Sequence, residues 1–222
     1  MGQREITRVR RSKQEARDWY STLSDWYGTV VAPFEAEQRE AGLNLLDPSE
    51  GERVLDVGSG TGEALVSLSD SVGHAGHAVG VDIAEGMCRT ARTSIRAAGV
   101  GDRAEVVCAD ATRLPLRDGS MDAIFSSFTL ELFDTPDIPV VLRECRRILR
   151  PGGRLCVVSL SKRRAGLATQ IYERLHTLFP RHLDCRPIFV REAVRDAGFR
   201  VQSAEDEEMW GLSIELVLAR AS

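Results

Sequence analysis

The sequence contains no long hydrophobic run. No stretch approaches the ~18 consecutive apolar residues that a membrane-spanning helix requires, and no apolar segment follows the charged N-terminus, so no signal peptide is expected. The five cysteines are odd in number and form no CxxC pair. They are typical of reduced thiols in a cytosolic protein and not of a disulfide framework or a zinc site. We therefore expect a cytoplasmic protein.

An excess of positive charge is also absent. The formal net charge of -4 argues against a dedicated nucleic-acid-binding domain, which is usually strongly basic. No GKS or GKT sequence is present, which excludes a Walker-type phosphate loop. Histidines and carboxylates show no metal-ligand spacing, so no metal is expected.

The chain has 222 residues, and 43% of them are hydrophobic. We therefore expect one domain over residues 1–222.

From Arg53 onward, short apolar runs alternate with helical patterns. This alternation predicts βαβ units and a mainly parallel sheet covered on both faces. "PGG" is expected to form a turn before the fifth strand, and "EDEE" (205–208) a solvated acidic turn. The predicted strands are "RVLDVG", "HAVGVDI", "AEVVCAD", "MDAIFSSF", "RLCVVSL", "FRVQSAED" and "LSIELVLA", and the predicted helices between them are 63–71, 85–98, 138–148 and 190–197.

Two segments lie outside this alternation. Residues 1–50 contain two predicted helices, 12–26 and 33–46, and no strand, which suits a helical lid. Residues 161–188 are longer than a plain connection and are expected to form an insertion on the acceptor side, with an amphipathic helix of its own.

The stretch "VLDVGSGTGEA" places three glycines where the first strand becomes a helix. In an open parallel sheet, ligands bind beyond the carboxyl ends of the strands, next to such a loop. Glycines permit positive φ and remove the Cβ atoms that would block a ligand. Asp82 ends the second strand twenty residues after Gly62, where it can accept both hydroxyls of a ribose. Together these features predict a nucleoside ligand.

The glycine spacing narrows the choice of nucleoside. The loop is G-x-G-x-G and not the G-x-G-x-x-G of dinucleotide sites, with Glu63 in place of the last glycine. The negative charge of Glu63 would repel a pyrophosphate, but it is compatible with a ligand that carries an ammonium group. Asp110 follows the third strand and can accept from an adenine amino group. The favoured ligand is therefore S-adenosylmethionine. The alternative is a nicotinamide dinucleotide, which would make the protein an oxidoreductase.

Four motifs, in this order and spacing, resemble the class I S-adenosylmethionine-dependent methyltransferases, in the branch of ubiquinone/menaquinone-biosynthesis methyltransferases. They are "VLDVGSGTGEA", "VGVDIAEGM", "CADATRLPLRDGSMDAIFSSFTLELF" and "ILRPGGRLCVVS". The resemblance implies a Rossmann-like α/β fold with helices on both faces of a seven-stranded, mostly parallel sheet. Its strand order would be 3-2-1-4-5-7-6, with the last strand antiparallel.

The same resemblance implies a role for each residue that matches a family motif. The glycine loop would line the methionine moiety and Asp56 would reach its ammonium group. Asp82 would hold the ribose, and Ser126 or Ser127 would face the sulfonium. The implied cofactor site as a whole consists of Asp56, Gly58, Ser59, Gly60, Gly62, Asp82, Ile83, Met87, Asp110, Ala111, Ser126 and Ser127.

Candidate residues on the acceptor side are Tyr20, Tyr27, Glu131 and His176. The two tyrosines lie in the aromatic segment "DWYSTLSDWYG", which suits either a lid or an acceptor pocket, but could equally pin the N-terminal helix to the sheet. Glu131 is either a base or, more simply, a solvated loop carboxylate. His176 and the nearby His182 are equally compatible with surface positions.

The expected acceptor is a small or lipid-like molecule, such as a quinone precursor or a phospholipid headgroup. Lys162, Arg163 and Arg164 precede the amphipathic helix of the insertion, which suits peripheral contact with a membrane. A solvated loop explains the same charges. A chain that binds the cofactor without catalysing transfer is the third function class that the sequence permits.

Overall fold

The computed structural model describes residues 8–9, 11–30, 32–163 and 185–221, with side chains omitted for 25–30 and 32. Among these residues no helix is long and apolar enough to cross a membrane. The α-helices are α1 (Lys13–Val30), α2 (Ala36–Leu46), α3 (Glu63–Val72), α4 (Glu85–Ala98), α5 (Ile138–Ile148) and α6 (Val190–Asp196). The strands are β1 (Arg53–Val57), β2 (His77–Asp82), β3 (Ala104–Cys108), β4 (Met121–Ser127), β5 (Leu149–Leu160), β6 (Phe199–Met209) and β7 (Leu212–Ala221).

The seven strands form one sheet in the order 3-2-1-4-5-7-6. The first five strands pair in parallel, while β7 runs antiparallel to both β5 and β6. The predicted fold class and strand order are confirmed. From β1 the chain adds strands on one side as far as β3 and then continues on the other side from β4, which creates a crevice between the carboxyl ends of β1 and β4.

Helices cover both faces of the sheet, so alternate residues of one strand belong to different cores. On β1, Val54 packs with buried residues of α2, α3 and α4, whereas Leu55 and Val57 pack with those of α5 and α6. Because β1 is buried on both faces, its apolar run is nearly continuous, as expected for a parallel strand. Asp56 interrupts this run, and it is only 2% exposed.

Two predicted turns lie inside strands. "PGG" belongs to β5, which begins at Leu149 opposite Met121 and resumes at Arg154 opposite Ala123, with a shift in register between them. The strand therefore accommodates the glycines as a bulge. "EDEE" belongs to β6, where Glu205 pairs with Leu216 and Glu208 with Ser213. The prediction of an acidic turn is wrong because β6 is an edge strand, which tolerates charge along its length.

The two predicted N-terminal helices are present, with different bounds, and a short 3-10 helix, Ala32–Phe34, lies between them. Helix α1 packs against α4 so closely that a Cβ on Gly86 would lie 2.5 Å from the carbonyl oxygen of Ser21. Helix α2 packs against the sheet, where a Cβ on Gly42 would lie 2.3 Å from Cγ2 of Val158. Both helices can approach this closely because Gly86 and Gly42 carry no Cβ atom.

The tight approach of α3 to α4 gives a test of this packing. Gly62 has φ 93°, and a Cβ there would lie 3.1 Å from Cα of Ala91; Gly60 has φ 51°, and its Cβ would meet nothing within 4 Å. Alanine at either position costs about 1 kcal/mol of backbone strain, but only Gly62→Ala also crowds α4. We expect urea unfolding to show losses of about 1 kcal/mol for Gly60→Ala and about 2–4 kcal/mol for Gly62→Ala. Equal losses would contradict the packing argument.

Candidate functional site

A cavity opens at the carboxyl ends of β1 to β4, and the loop between β1 and α3 lines it. The amides of Gly58 and Ser59 donate to the carbonyl oxygen of Val81 at 2.7 and 3.1 Å, which ties this loop to β2. A Cβ on Gly60 would point into open space. A ligand can therefore approach the backbone at Gly60 directly.

The other two glycines of the loop make room for the protein itself. A Cβ on Gly58 would lie 2.2 Å from Oγ1 of Thr129, and one on Gly62 would meet Ala91. Gly58 still lines the cavity with its backbone, whereas Gly62 is absent from the described lining. Gly60 is thus the glycine whose missing Cβ leaves space for a ligand, whereas the missing Cβ atoms of Gly58 and Gly62 leave space for Thr129 and Ala91.

The carboxylate of Asp82 is fixed at the rim of β2. Its Oδ2 accepts from the amide of Gly60 at 3.0 Å, and its Oδ1 accepts from the amide of Ala84 at 2.8 Å. Burial raises the pKa of Asp82, although these amide bonds act in the opposite direction. Asp82 also lines the cavity, where its carboxylate can accept from ribose hydroxyls.

Asp56 has an unsatisfied oxygen. Its side chain is buried, lines the cavity, and has no hydrogen-bond partner for Oδ2. Burial, together with the charges of Asp82 and Glu63, raises the pKa of Asp56 to about 7, against the charge of Arg39. A buried acceptor without a partner is costly. An ammonium group of a ligand would satisfy this oxygen, so the residues fit the methionine end of S-adenosylmethionine.

The neighbouring part of the cavity suits a planar base. Ile83, Met87 and Ala111 line it with apolar groups. Asp110 lies beside them, with Oδ1 accepting from the amide of Thr112 at 2.9 Å. These residues offer a polar acceptor beside apolar groups, which suits an adenine ring.

The two alternative serines at the end of β4 differ in position. Ser127 lines the cavity, and its buried Oγ has no hydrogen-bond partner. Ser126 donates from Oγ to the carbonyl oxygen of Val57 at 3.3 Å and is absent from the described lining. Of the two predicted residues, only Ser127 is placed to face a ligand.

Of the acceptor-side candidates whose side chains the structure describes, Tyr20 lines the cavity and Glu131 does not. Tyr20 projects from α1 into the lining, together with residues of the cofactor site. The side chain of Tyr27, and the whole of His176 and His182, lie outside the described residues.

Glu131 is buried away from the cavity. It is 0% exposed, accepts from Oγ of Ser159 at 2.8 Å and from the amide of Leu160 at 3.2 Å. Burial raises its pKa to about 7, although these bonds and the charge of Arg186 lower it. The interpretation as a solvated loop carboxylate is wrong, because the end of β5 covers this residue. Glu131 does not line the cavity, so in this position it cannot reach a bound acceptor as a base.

Sequence reasoning missed two cations near this site. Arg186 is 2% exposed, and its Nη2 donates to the carbonyl oxygen of Phe133 at 2.5 Å, while Nε and Nη1 have no hydrogen-bond partner. Burial lowers the pKa of Arg186 to about 10, against the charges of Asp134 and Glu131. Lys13 lines the cavity from α1. No local motif marks either residue, because their contacts are remote in sequence.

The buried carboxyl of Glu131 makes a prediction about stability. Its pKa rises from 4.5 to about 7 on folding, so between these values the folded state holds a proton that the unfolded chain releases. Stability therefore falls as pH rises through this window. Relative to Glu131→Gln, the wild-type free energy of unfolding should fall by up to about 3 kcal/mol between pH 5 and 8. Parallel stability profiles would contradict the assignment.

Comparison with known proteins places this geometry in a family. Residues 54–153 match the family model described as a methyltransferase domain. The ubiquinone/menaquinone biosynthesis C-methyltransferase UbiE of Vibrio cholerae is 39% identical over 112 residues, which are 50% of this chain and 42% of that protein. Methyltransferase GfsG of Streptomyces halstedii is 34% identical over 157 residues, 68% of this chain and 55% of that protein. This chain spans about half the length of these curated relatives.

Solved structures share the fold at lower identity. The [4+2]-cyclase SpnF superposes with a TM-score of 0.76 at 18% identity, covering 95% of this chain and 97% of that one. A SAM-dependent methyltransferase from Aquifex aeolicus has a TM-score of 0.66 at 23% identity, covering 91% and 98%. The domain match, the UbiE-like sequences and the strand order together identify the chain as a member of the class I S-adenosylmethionine-dependent methyltransferases, in the UbiE-like branch.

Proposed function

We propose that this chain is an enzyme that transfers the methyl group of S-adenosylmethionine, by in-line displacement, to a small-molecule or lipid-like acceptor. The observation that carries the proposal is the buried, unpartnered oxygen of Asp56 in the cavity beside Asp82. The family match supports it. A structural neighbour is also compatible with it: geranyl diphosphate methyltransferase in complex with sinefungin has a TM-score of 0.71 at 19% identity, covering 85% of this chain and 78% of that one.

The residues of the cavity divide the work of binding. Bound S-adenosylmethionine supplies a methyl group activated by its sulfonium charge, so the protein needs no covalent intermediate. Asp56 is proposed to hold the ammonium group and Asp82 the ribose hydroxyls. Ile83 and Met87 enclose the base. Fixing the cofactor in this way leaves the protein to align the acceptor and exclude water.

The acceptor end is proposed to lie beyond β4, beside Tyr20. Phe128, Leu132 and Phe133 line the cavity here with large apolar groups, which suits an apolar acceptor and a dry site. A base is needed only if the acceptor must lose a proton. Tyr20 is the described candidate to orient the nucleophile. A quinone precursor or a phospholipid headgroup is the acceptor class that we propose to test first.

The site disfavours a nicotinamide dinucleotide. At the start of α3, where a pyrophosphate would bind, the hydroxyl of Thr61 donates to the carboxylate of Glu63 at 2.7 Å and holds this negative charge in the lining. Asp56 adds a second carboxylate. Both repel phosphate oxygens and attract a cation.

The fold alone does not assign the reaction, since the neighbour SpnF is described as a [4+2]-cyclase. A cofactor-binding subunit without catalysis would need no second compartment. Here Tyr20, Leu132 and Phe133 extend the lining beyond the residues assigned to the cofactor. This extension supports an enzyme with an acceptor.

We propose a cytoplasmic location, and peripheral membrane contact as the route by which a lipid-like acceptor arrives. The membrane contact would depend on Lys162, Arg163 and Arg164. Arg163 donates to Oε1 of Glu192 at 2.8 Å, so its guanidinium is less available to an anionic lipid. Arg164 lies outside the described residues. Lys162 lies two residues after the end of β5.

Calorimetric titration with S-adenosylmethionine, S-adenosylhomocysteine and NAD tests the cofactor. We expect micromolar binding of the first two and none of NAD. Asp56→Asn should weaken binding at least tenfold at pH 8, because it removes the charge that faces the ammonium group. Asp82→Ala should do the same by removing the acceptor of the ribose hydroxyls. Asp196→Asn, on the exposed end of α6, should bind like the wild type.

The pH dependence of the same titration isolates Asp56. With its pKa at about 7 in the free protein, binding of a cation below pH 7 requires loss of a proton. Affinity should rise from pH 6 to pH 8, and this rise should be reduced in Asp56→Asn. Binding of NAD alone, or an unchanged pH profile in the variant, would contradict the proposed site.

Transfer itself is measured with radiolabelled S-adenosylmethionine and two acceptor probes, a demethylated quinol in detergent and phosphatidylethanolamine vesicles. Label in the extracted quinol or lipid supports the enzyme and names the acceptor class. Cofactor binding with no transfer to either probe would contradict the acceptor classes proposed, while leaving the cofactor assignment intact.

A further inference from the structure

Lys13, on the N-terminal helix, contacts the site predicted to read the adenine edge. Its Nζ donates to Oδ2 of Asp110 at 2.8 Å and to Oγ1 of Thr112 at 2.9 Å. Lys13 and Asp110 both line the cavity. The two residues are 97 positions apart in sequence, so the fold has brought a cation of α1 to the loop after β3.

These contacts fix the orientation of the Asp110 carboxylate. Its Oδ1 accepts from the amide of Thr112 at 2.9 Å and from the hydroxyl of Thr112 at 2.7 Å. A carboxylate offers about four acceptor positions. The contacts fill both positions on Oδ1 and one on Oδ2, so one position on Oδ2 stays open.

The open position suits a ligand group that donates a hydrogen bond. Burial alone would raise the pKa of Asp110, but the bonds from Lys13 and Thr112 outweigh it and lower the pKa. The carboxylate is therefore ionised at neutral pH and accepts only. An exocyclic amino group on a base bound beside Ile83 and Met87, which line the same cavity, would satisfy it. A carbonyl oxygen at the same place is repelled.

We propose that Lys13 is a positioning residue that, by orienting Asp110, makes the site selective for adenine over bases that lack the exocyclic amino group. The inference rests on the proposed function, since it takes an adenine nucleoside as the ligand. It also assigns part of cofactor recognition to α1, so that seating of the N-terminal helix and binding of the base strengthen each other.

Helix α1 is held in place independently of Lys13. The hydroxyl of Ser21 accepts from the amide of Gly86 at 3.2 Å where α1 packs on α4. Before the helix, Arg8 donates to both oxygens of Asp134 at 2.7 and 2.5 Å. Because Lys13 itself is half exposed, replacing it should leave the helix and the fold unchanged.

The test compares two ligands that differ along one edge of the base. S-adenosylhomocysteine and S-inosylhomocysteine, which has a carbonyl in place of the amino group and a proton on the adjacent N1, are titrated into wild type, Lys13→Gln and Arg17→Gln. Arg17 is an exposed cation one helical turn along α1, and it provides the matched loss of charge. Lys13→Gln should weaken S-adenosylhomocysteine binding about tenfold and change S-inosylhomocysteine binding less than twofold. Arg17→Gln should change neither, and Lys13→Arg should restore most of the selectivity.

Three other outcomes would contradict the role proposed for Lys13. Equal weakening of both ligands by Lys13→Gln would overturn the inference, because Lys13 would then only seat the helix. The same holds if Lys13→Gln and Arg17→Gln behave alike. If the wild-type protein binds neither ligand, the proposed function fails first and the inference falls with it.

Discussion

Parallel strands end at the same edge of a sheet, and in this protein that constraint brings three aspartates into one cavity. Asp56 belongs to β1, Asp82 ends β2 and Asp110 follows β3. Buried like charges repel each other, and burial together with the charge of Asp82 raises the pKa of Asp56. The free protein therefore holds an electrostatic cost that a cationic, hydrogen-bond-donating ligand would relieve.

The three carboxylates are supported in different ways, and the differences assign the parts of the ligand. Asp82 is held by two backbone amides, whereas Asp110 is held by Lys13 and Thr112. Asp56 keeps an oxygen with no hydrogen-bond partner. The group with the least support is the one where we place the ammonium, since a full charge compensates a buried carboxylate best.

The sequence predicted those features that depend on neighbouring residues. The strands followed from the alternating patterns, whereas their order followed only from the resemblance to the methyltransferase family. Gly60 and Asp82 lie in motifs of their own. "EDEE" was misread because its composition is typical of a turn, whereas its pairing with β7 is decided elsewhere in the chain. Lys13, Arg186 and the burial of Glu131 depend on contacts between distant segments. No pattern local to these residues could reveal them.

The most direct measurement is a crystal structure of the protein with S-adenosylhomocysteine. We predict that the ligand lies along Gly60, with its ammonium group within hydrogen-bond distance of Asp56 and its ribose hydroxyls on Asp82. A ligand bound elsewhere, or bound in this cavity with its carboxylate and not its ammonium group at Asp56, would contradict the proposed site.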